Sequence, residues 1–233
     1  MNGLQDYLSQ NLNNNKDSSE KSDKKRKQSI KIKKEQIIDK NSNTNDKIDN
    51  TIQIIQDYVL MNLYHKLFPL KAEKEDIEIY HKCLQLSWIK FNHVDLLVNV
   101  DYFVSFAINL MKQFHLAKLP EQKMEIFSKL IKNILITLNL HLGKRDGSID
   151  DVLPFLVFVI IKSKPKFLSS NINFIQLYHK KPKLIEVNSD FVLLKLVKDH
   201  ILNLSHINLK NITEEEYSEN CKKTFEHYKE VLQ

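Results

Sequence analysis

Two residues at the start of the most apolar stretch of the chain, Asp150 and Pro154, have types and a spacing that suit a binding site. They are four positions apart, so on a helix they share one face. One interpretation is that this position holds a functional carboxylate. A structural interpretation is also open, in which Asp150 or Asp151 caps the helix and the proline lies in its first turn. If Asp151 is the cap, Asp150 is left outside the helix, exposed and free.

No other recognisable catalytic constellation is present in the sequence. Nine histidines form no HExxH motif, no GxSxG occurs, and the three glycines leave no GxGxxG or GxxxxGK[ST] phosphate loop. Cys83 and Cys221 are far apart, form no CxxC motif and are predicted to be small buried hydrophobes in a reducing, cytoplasmic environment. We therefore expect neither a metal site nor a cofactor.

The composition of the chain favours an all-α fold. Of the 233 residues, 42% are hydrophobic and 27% are charged, which is enough apolar material for a sizeable core. Three glycines are too few for folds built on many tight turns. No apolar run reaches the length of a membrane span, and the polar N-terminus does not have the pattern of a secretory signal.

Apolar residues at intervals of three and four predict about eight helices. Pro69 ends the first, and the second is expected to bury Ile77, Tyr80 and Leu84. The apolar run 152–161 is predicted to be a central helix, because a helix without a polar face must be covered on all sides. The predicted cap residues are Ser169 or Ser170, Asp190, and Thr213 with Glu216 in a capping box. The predicted helices are one from Ile48 to Leu67, a second opened by KAEKEDIE, a third over about 95–116, a fourth that uses Met124 to Leu138, the apolar run 152–161, NINFIQLY, one from the Asp190 cap through Leu204, and a last over 214–232.

The first 45 residues differ from the rest of the chain. They are rich in Asn, Lys and Ser and are predicted to form a disordered tail, because they cannot bury enough apolar surface to offset ordering entropy. The segment Lys21–Lys34 carries eight basic residues and one acidic residue. It is either a solvated segment, a weak contact with anionic membranes or a nuclear import signal.

The string SIDDVLPFLVFVIIKSKPKFLSSNINFI resembles the vacuolar protein sorting 9 domain family. Upstream, AKLPEQKMEIFSKLIK, YVLMNLYHKLFP and LQLSWIKFNHVDL are similar to further elements of that family, in the same order, over about 46–205. The positions in the string that match the family pattern are Asp150, Asp151, Leu153, Pro154, Ile161, Lys162, Pro165, Leu168, Ser170, Asn171 and Ile175.

The resemblance implies guanine nucleotide exchange on endosomal Rab-type small GTPases, by an accessory helical bundle packed on a layered helical domain. It implies that Asp150 is an acidic finger that enters the nucleotide site, and that Pro154 and Asp151 contact the GTPase. The family's interface Tyr and Thr fall on Ser189 and Val192, and its Asn-Pro-Pro reads Lys164-Pro165-Lys166. Both changes alter the expected affinity or choice of GTPase.

These observations predict a tail over 1–45, an accessory bundle over 46–107, an exchange domain over 108–205 and a C-terminal helix over 206–233. The predicted partner is a Rab-type GTPase, with no nucleic acid, and the predicted location is the cytoplasm with recruitment to endosomal membranes. Two alternatives stay open. One is a helical scaffold that binds a GTPase without exchange, and the other is a membrane- or nucleic-acid-binding helical protein that depends on the basic tail.

Overall fold

The structure is a computed structural model that describes residues 51–94, 101–142 and 149–232. Within these ranges all regular secondary structure is helical, which confirms the all-α prediction. No helix in the described ranges has the length and apolarity needed to cross a bilayer. The predicted tail, the basic segment Lys21–Lys34 and the glycine-containing loop 143–148 lie outside the described residues.

Nine α-helices occur in the described ranges, one more than expected. The addition is the one-turn helix α7, which follows the predicted helix NINFIQLY. Residues 57–233 form one compact unit, and residues 51–56 before it are helical. The helices are α1 (51–67), α2 (Lys74–Gln85), α3 (Asp101–Leu116), α4 (Pro120–Leu142), α5 (Ile149–Ser163), α6 (Leu168–Tyr178), α7 (Pro182–Ile185), α8 (Ser189–Asn203) and α9 (Glu214–Leu232), with 3-10 turns at Phe91–Val94 and His206–Asn208.

Helix α5 is the centre of the fold, as its uninterrupted apolar run predicts. Val152 and every residue from 155 to 161 are buried, and the helix packs against α2, α3, α4 and α8. Each fully buried Leu, Ile or Phe side chain contributes roughly 1.5–3 kcal/mol relative to exposure. The surrounding helices therefore hold the start of α5, where Asp150 and Pro154 lie, in a fixed place.

Helix α2 is joined to the later part of the chain by buried polar contacts. The Asp76 carboxylate, which is fully buried, accepts hydrogen bonds from the backbone amide (3.0 Å) and the hydroxyl of Ser170. Beside it, Glu75 accepts from the Ser169 hydroxyl and pairs with Lys198 of α8 at 2.6 Å. The Lys198 hydrogen bond, followed by that of Ser169, lowers the pKa of Glu75.

These contacts correct two predictions. Ser169 and Ser170 do not cap α6, which begins at Leu168 and has no side-chain cap, because their hydroxyls bind the carboxylates of α2. The buried face of α2 was predicted only in part. Leu84 is buried as expected, but the other buried residues are Asp76, Ile79 and Cys83, whereas Ile77 is exposed.

Asn188, not Asp190, caps α8. The Asn188 side-chain oxygen accepts from the amides of Asp190 (3.0 Å) and Phe191 (3.1 Å). Asp190 lies inside the first turn, and its carboxylate accepts instead from the Ser128 hydroxyl of α4. The prediction of an Asp190 cap was therefore wrong by two positions, because a tertiary partner occupies that carboxylate.

We expect Asn188→Ala to lower the free energy of unfolding by about 1 kcal/mol, because two amides of the first turn lose their acceptor. Asn203→Ala, at the other end of the same helix, is the matched control, since its side chain only donates to the Asp199 carbonyl. Urea denaturation of both variants checks this prediction. Equal destabilisation by the two changes would show that the cap contributes nothing specific.

The capping box predicted for the last helix is confirmed. The Thr213 amide donates to Glu216 at 3.0 Å and the Glu216 amide donates to the Thr213 hydroxyl at 3.2 Å. Cys83 and Cys221 are buried, also as predicted.

Lys123 of α4 is completely buried. Its ammonium donates to the carbonyls of Phe114 (3.0 Å) and His115 (3.4 Å) in the last turn of α3. It also lies 5.5–5.8 Å from the ring centroids of Tyr64, Phe68 and Phe114. Burial lowers the pKa of Lys123 to about 7, while the carbonyls and ring faces favour the charged form.

Candidate functional site

The first turn of α5 carries the residues to which the sequence assigns chemistry. The helix begins at Ile149, so Asp150 and Asp151 lie within it, and Pro154 is an interior residue. The predictions that Asp151 caps the helix and that Asp150 lies outside it are therefore wrong. Asp150 precedes Pro154 by one turn on the same helix face. Since proline has no amide hydrogen, position 154 gives no helical hydrogen bond to the carbonyl of Asp150.

Pro154 lies in a groove of about 260 Å³ between the start of α5 and the end of α8. Four separate parts of the chain build it: the 3-10 turn after α2, helix α5, the end of helix α8, and the connection between α8 and α9. The lining residues are Val94, Leu153, Pro154, Val157, His200, Leu204, Asn208 and Lys210.

The groove has an apolar floor and a polar rim. Val94, Val157 and Leu204 are buried and form the floor, while Asn208 and Lys210 are exposed at the edge. Burial lowers the pKa of His200, so its imidazole is neutral at physiological pH. The groove can therefore bind an apolar side chain of a partner, while polar residues next to that side chain contact the rim.

The connection that carries the rim is tied down by hydrogen bonds. The Ser205 amide donates to the Asn208 side chain at 3.0 Å, and the Lys210 amide donates to the His93 carbonyl at 2.8 Å. The Asn211 side chain donates to the Asn92 carbonyl at 3.1 Å, and Leu209 is buried. Sequence reasoning missed this rim, because nothing in the local pattern of 205–211 indicates that it folds back beside α5.

Ser189 and Val192 lie at the opposite end of α8 from the Pro154 groove. Ser189 is the first residue of the helix, and both side chains are exposed. Eleven positions separate Ser189 from His200, which is about 16 Å along the helix axis. The structure does not bring these residues into the groove with Pro154. One partner can still cover both, because a standard interface buries about 800 Å² per side, a patch roughly 30 Å across.

Lys164, at the Asn position of the family's Asn-Pro-Pro, has a left-handed backbone with φ of 49°. Asn tolerates this conformation better than Lys does, which is a physical reason for Asn there. In this chain the Lys164 ammonium contacts the Tyr228 hydroxyl of α9 and lies 4.6 Å from its ring centroid. The hydrogen bond with Lys164 lowers the pKa of Tyr228. The contact with Tyr228 of α9 thus stabilises the turn at Lys164 in place of the family's Asn.

The described residues contain no group of three or more His, Cys, Asp and Glu side chains that could hold a metal ion. Burial raises the pKa of the Cys83 thiol to about 12, so this cysteine is not a nucleophile at neutral pH.

Comparisons with known proteins match this part of the chain to one family. Residues 104–204 match the Vacuolar sorting protein 9 (VPS9) domain. Vacuolar protein sorting-associated protein 9A of Oryza sativa subsp. japonica is 25% identical over 139 residues, which is 56% of this chain and 29% of the relative. The human Rab5 GDP/GTP exchange factor is 24% identical over 148 residues, which is 60% of this chain and 30% of that protein.

The chain thus spans about 30% of the length of these curated relatives. The matched segment runs from α3 to the end of α8 and includes the first turn of α5 and most of the Pro154 groove. Motif order, all-helical architecture and this match agree. The resemblance to the vacuolar sorting protein 9 (VPS9) domain family is therefore confirmed over residues 104–204.

Proposed function

We propose that this protein is a guanine nucleotide exchange factor for an endosomal Rab-type small GTPase. The observation that carries the proposal is the position of Asp150 on α5, one helical turn before Pro154, which lines an apolar groove. This arrangement pairs a carboxylate position with a surface for an apolar side chain. The relatives named as Rab5 GDP/GTP exchange factors support the same class of partner.

The proposed mechanism is competition between carboxylate and phosphate. Asp150 enters the nucleotide site, engages the phosphate-binding lysine of the GTPase and takes the place of phosphate and magnesium. A carboxylate about 4 Å from a phosphate charge opposes nucleotide binding by roughly 4 kcal/mol at an effective dielectric constant near 20. By linkage, nucleotide weakens binding of the exchange factor by the same factor, so entry of GTP releases the complex. Since no bond is made or broken, the protein acts as a GTPase regulator and not as an enzyme in the usual sense.

The remaining contacts of the proposed interface lie on α5 and α8. Pro154 and the floor of the groove receive an apolar residue of the switch regions, and Asp151 lies beside the finger. Ser189 and Val192 extend the contact to the other end of α8. The domain limits 46–107, 108–205 and 206–233 are part of this proposal.

The proposed location is the cytoplasm, with recruitment to endosomal membranes where the GTPase is found. The basic segment Lys21–Lys34 would add a weak, salt-sensitive attraction to anionic lipids of about 1 kcal/mol for each basic residue at the surface.

A scaffold that binds a GTPase without exchange is the second candidate. The observation that favours it is the pair Ser189 and Val192, which lacks the aromatic ring and the hydroxyl that the family places there. An aromatic anchor in an interface commonly contributes 2 kcal/mol or more. Such a protein would bind the nucleotide-free GTPase and would leave GDP release unchanged.

Release of fluorescent GDP from Rab5 and from a panel of other Rab GTPases, with and without the full chain, decides between these two candidates. An exchange factor accelerates release in proportion to its concentration. Binding to nucleotide-free GTPase without any acceleration would overturn exchange and leave the scaffold.

Pro154→Ala is expected to shift stability and activity in opposite directions. Removal of proline from a helix interior stabilises the fold by up to about 3 kcal/mol. Loss of about two methylene groups from the groove weakens binding of an apolar side chain by about 1.6 kcal/mol, or roughly tenfold in exchange rate. A thermal melt and the release assay on the same preparation check both effects. A stabilised variant with unchanged exchange would show that Pro154 does not touch the GTPase.

A further inference from the structure

One side chain with a permanent positive charge lines the Pro154 groove. It is that of Lys210, which is exposed and belongs to the connection after α8. His200, the other basic residue of the lining, is kept neutral by burial. The cationic charge of the rim therefore resides on Lys210.

Lys210 lies outside the segment that matches the family, which ends at residue 204. Its backbone is nevertheless fixed, because its amide donates to the His93 carbonyl and its neighbour Leu209 is buried. A lysine on a fixed backbone, on an exposed rim, keeps a long side chain available to a partner. In the described residues, no carboxylate forms an ion pair with it.

We propose that Lys210 is a specificity-determining residue that selects a GTPase with an acidic side chain next to the apolar residue entering the Pro154 groove. The inference rests on the proposed function, because it assumes that a GTPase occupies this groove. Its physical basis is charge complementarity at the groove lining. The exposed ammonium of Lys210 attracts an acidic group beside the apolar residue that enters the groove and repels a basic group at the same place.

The arrangement also predicts how Lys210 acts. An exposed charge at the rim of an interface mainly changes the association rate and its salt dependence. Substitution of Lys210 is therefore expected to weaken the affinity for the GTPase and to lower kcat/KM by raising KM. The value of kcat should not change, because it depends on Asp150 of α5. This pattern separates Lys210 from a residue that only supports the fold.

Lys210→Glu is the test, with Lys222→Glu as a matched charge reversal on an exposed position of α9. Two quantities are measured for wild type and both variants: the Kd for nucleotide-free Rab5, and GDP release at 50 and 300 mM salt. We expect Lys210→Glu to raise the Kd and KM at least tenfold with kcat within twofold, and Lys222→Glu to resemble wild type. Lys210→Met should reduce the salt dependence of kcat/KM, because one attractive pair is removed.

Charge reversal on the partner completes the test. Among Asp→Lys and Glu→Lys variants of the Rab5 switch surface, at least one should restore binding to Lys210→Glu. Equal behaviour of Lys210→Glu and Lys222→Glu, or the absence of any restoring variant, would overturn the inference. If wild type binds without exchange and Lys210→Glu still weakens binding, exchange fails and the inference stands. If wild type neither binds nor exchanges, both proposals are wrong.

Discussion

Asp150→Asn is expected to reduce GDP release by about a hundredfold to a thousandfold while leaving the melting temperature nearly unchanged. The proposed finger opposes phosphate through its charge, and roughly 4 kcal/mol of opposition corresponds to about three orders of magnitude. Asparagine keeps the size and hydrogen-bonding oxygen of aspartate but removes the charge. The structural cost is the loss of one acidic group from a first helical turn, about 0.3–1 kcal/mol.

Glu215→Gln supplies the control, because Glu215 is an exposed acidic residue in the first turn of α9. It loses the same charge at an equivalent helix position, away from the groove. The release assay and a thermal melt are run on both variants. If Asp150→Asn retained exchange and lost as much stability as a helix cap contributes, the acidic residue would have a structural role only.

The second large effect concerns the stability of the fold as pH changes. The pKa of Lys123 falls from an ordinary value of 10.5 to about 7 in the folded protein. Between these pH values the unfolded chain binds more protons than the folded chain, so the free energy of unfolding rises with pH. Each pH unit in this window adds about 1.4 kcal/mol, or on the order of 4 kcal/mol in total. Below pH 7 Lys123 is protonated in both the folded and the unfolded chain, so it adds no pH-dependent stability.

Lys123→Met isolates this contribution, because methionine has a similar length and no charge. Urea denaturation at several pH values between 6.5 and 9.5 gives the difference in unfolding free energy between wild type and variant. From pH 6.5 to 9.5, we expect the free energy of unfolding of wild type to rise by about 3 kcal/mol relative to that of the variant. Lys129→Met, at an exposed position of the same helix, should give no such trend. A constant difference for Lys123→Met would mean that the carbonyls and rings hold the ammonium at its ordinary pKa.

Features that depend on neighbouring residues in the sequence were predictable. The apolar run of α5 has no polar face, so its burial does not depend on which helices cover it. The box formed by Thr213 and Glu216 is closed within one turn, so the local sequence specifies it. Helix α1 ends at residue 67 because Pro69 lacks an amide hydrogen and disfavours a helical backbone at the residue before it.

Features that depend on distant partners were not predictable. Ser169, Ser170 and Asp190 are good cap residues by type, but each binds a partner more than 60 positions away. The Pro154 groove combines residues from 94 to 210, and the positions of Lys210 and Asn208 follow only from the folded chain. The spacing of Asp150 and Pro154 was visible in the sequence, because both lie on one turn of one helix.

The polar contacts between α2, α6 and α8 have a consequence for how the protein opens. Asp76 is buried and its partner Ser170 lies 94 positions later, so separating α2 from the rest would leave a carboxylate and an amide without partners in an apolar environment. Separating the compact unit 57–233 at the predicted domain boundary, residue 107, would therefore have a high free-energy cost. Amide hydrogens of α2 and α6 should exchange with solvent together, as one cooperative foldon, although the two helices belong to different predicted domains.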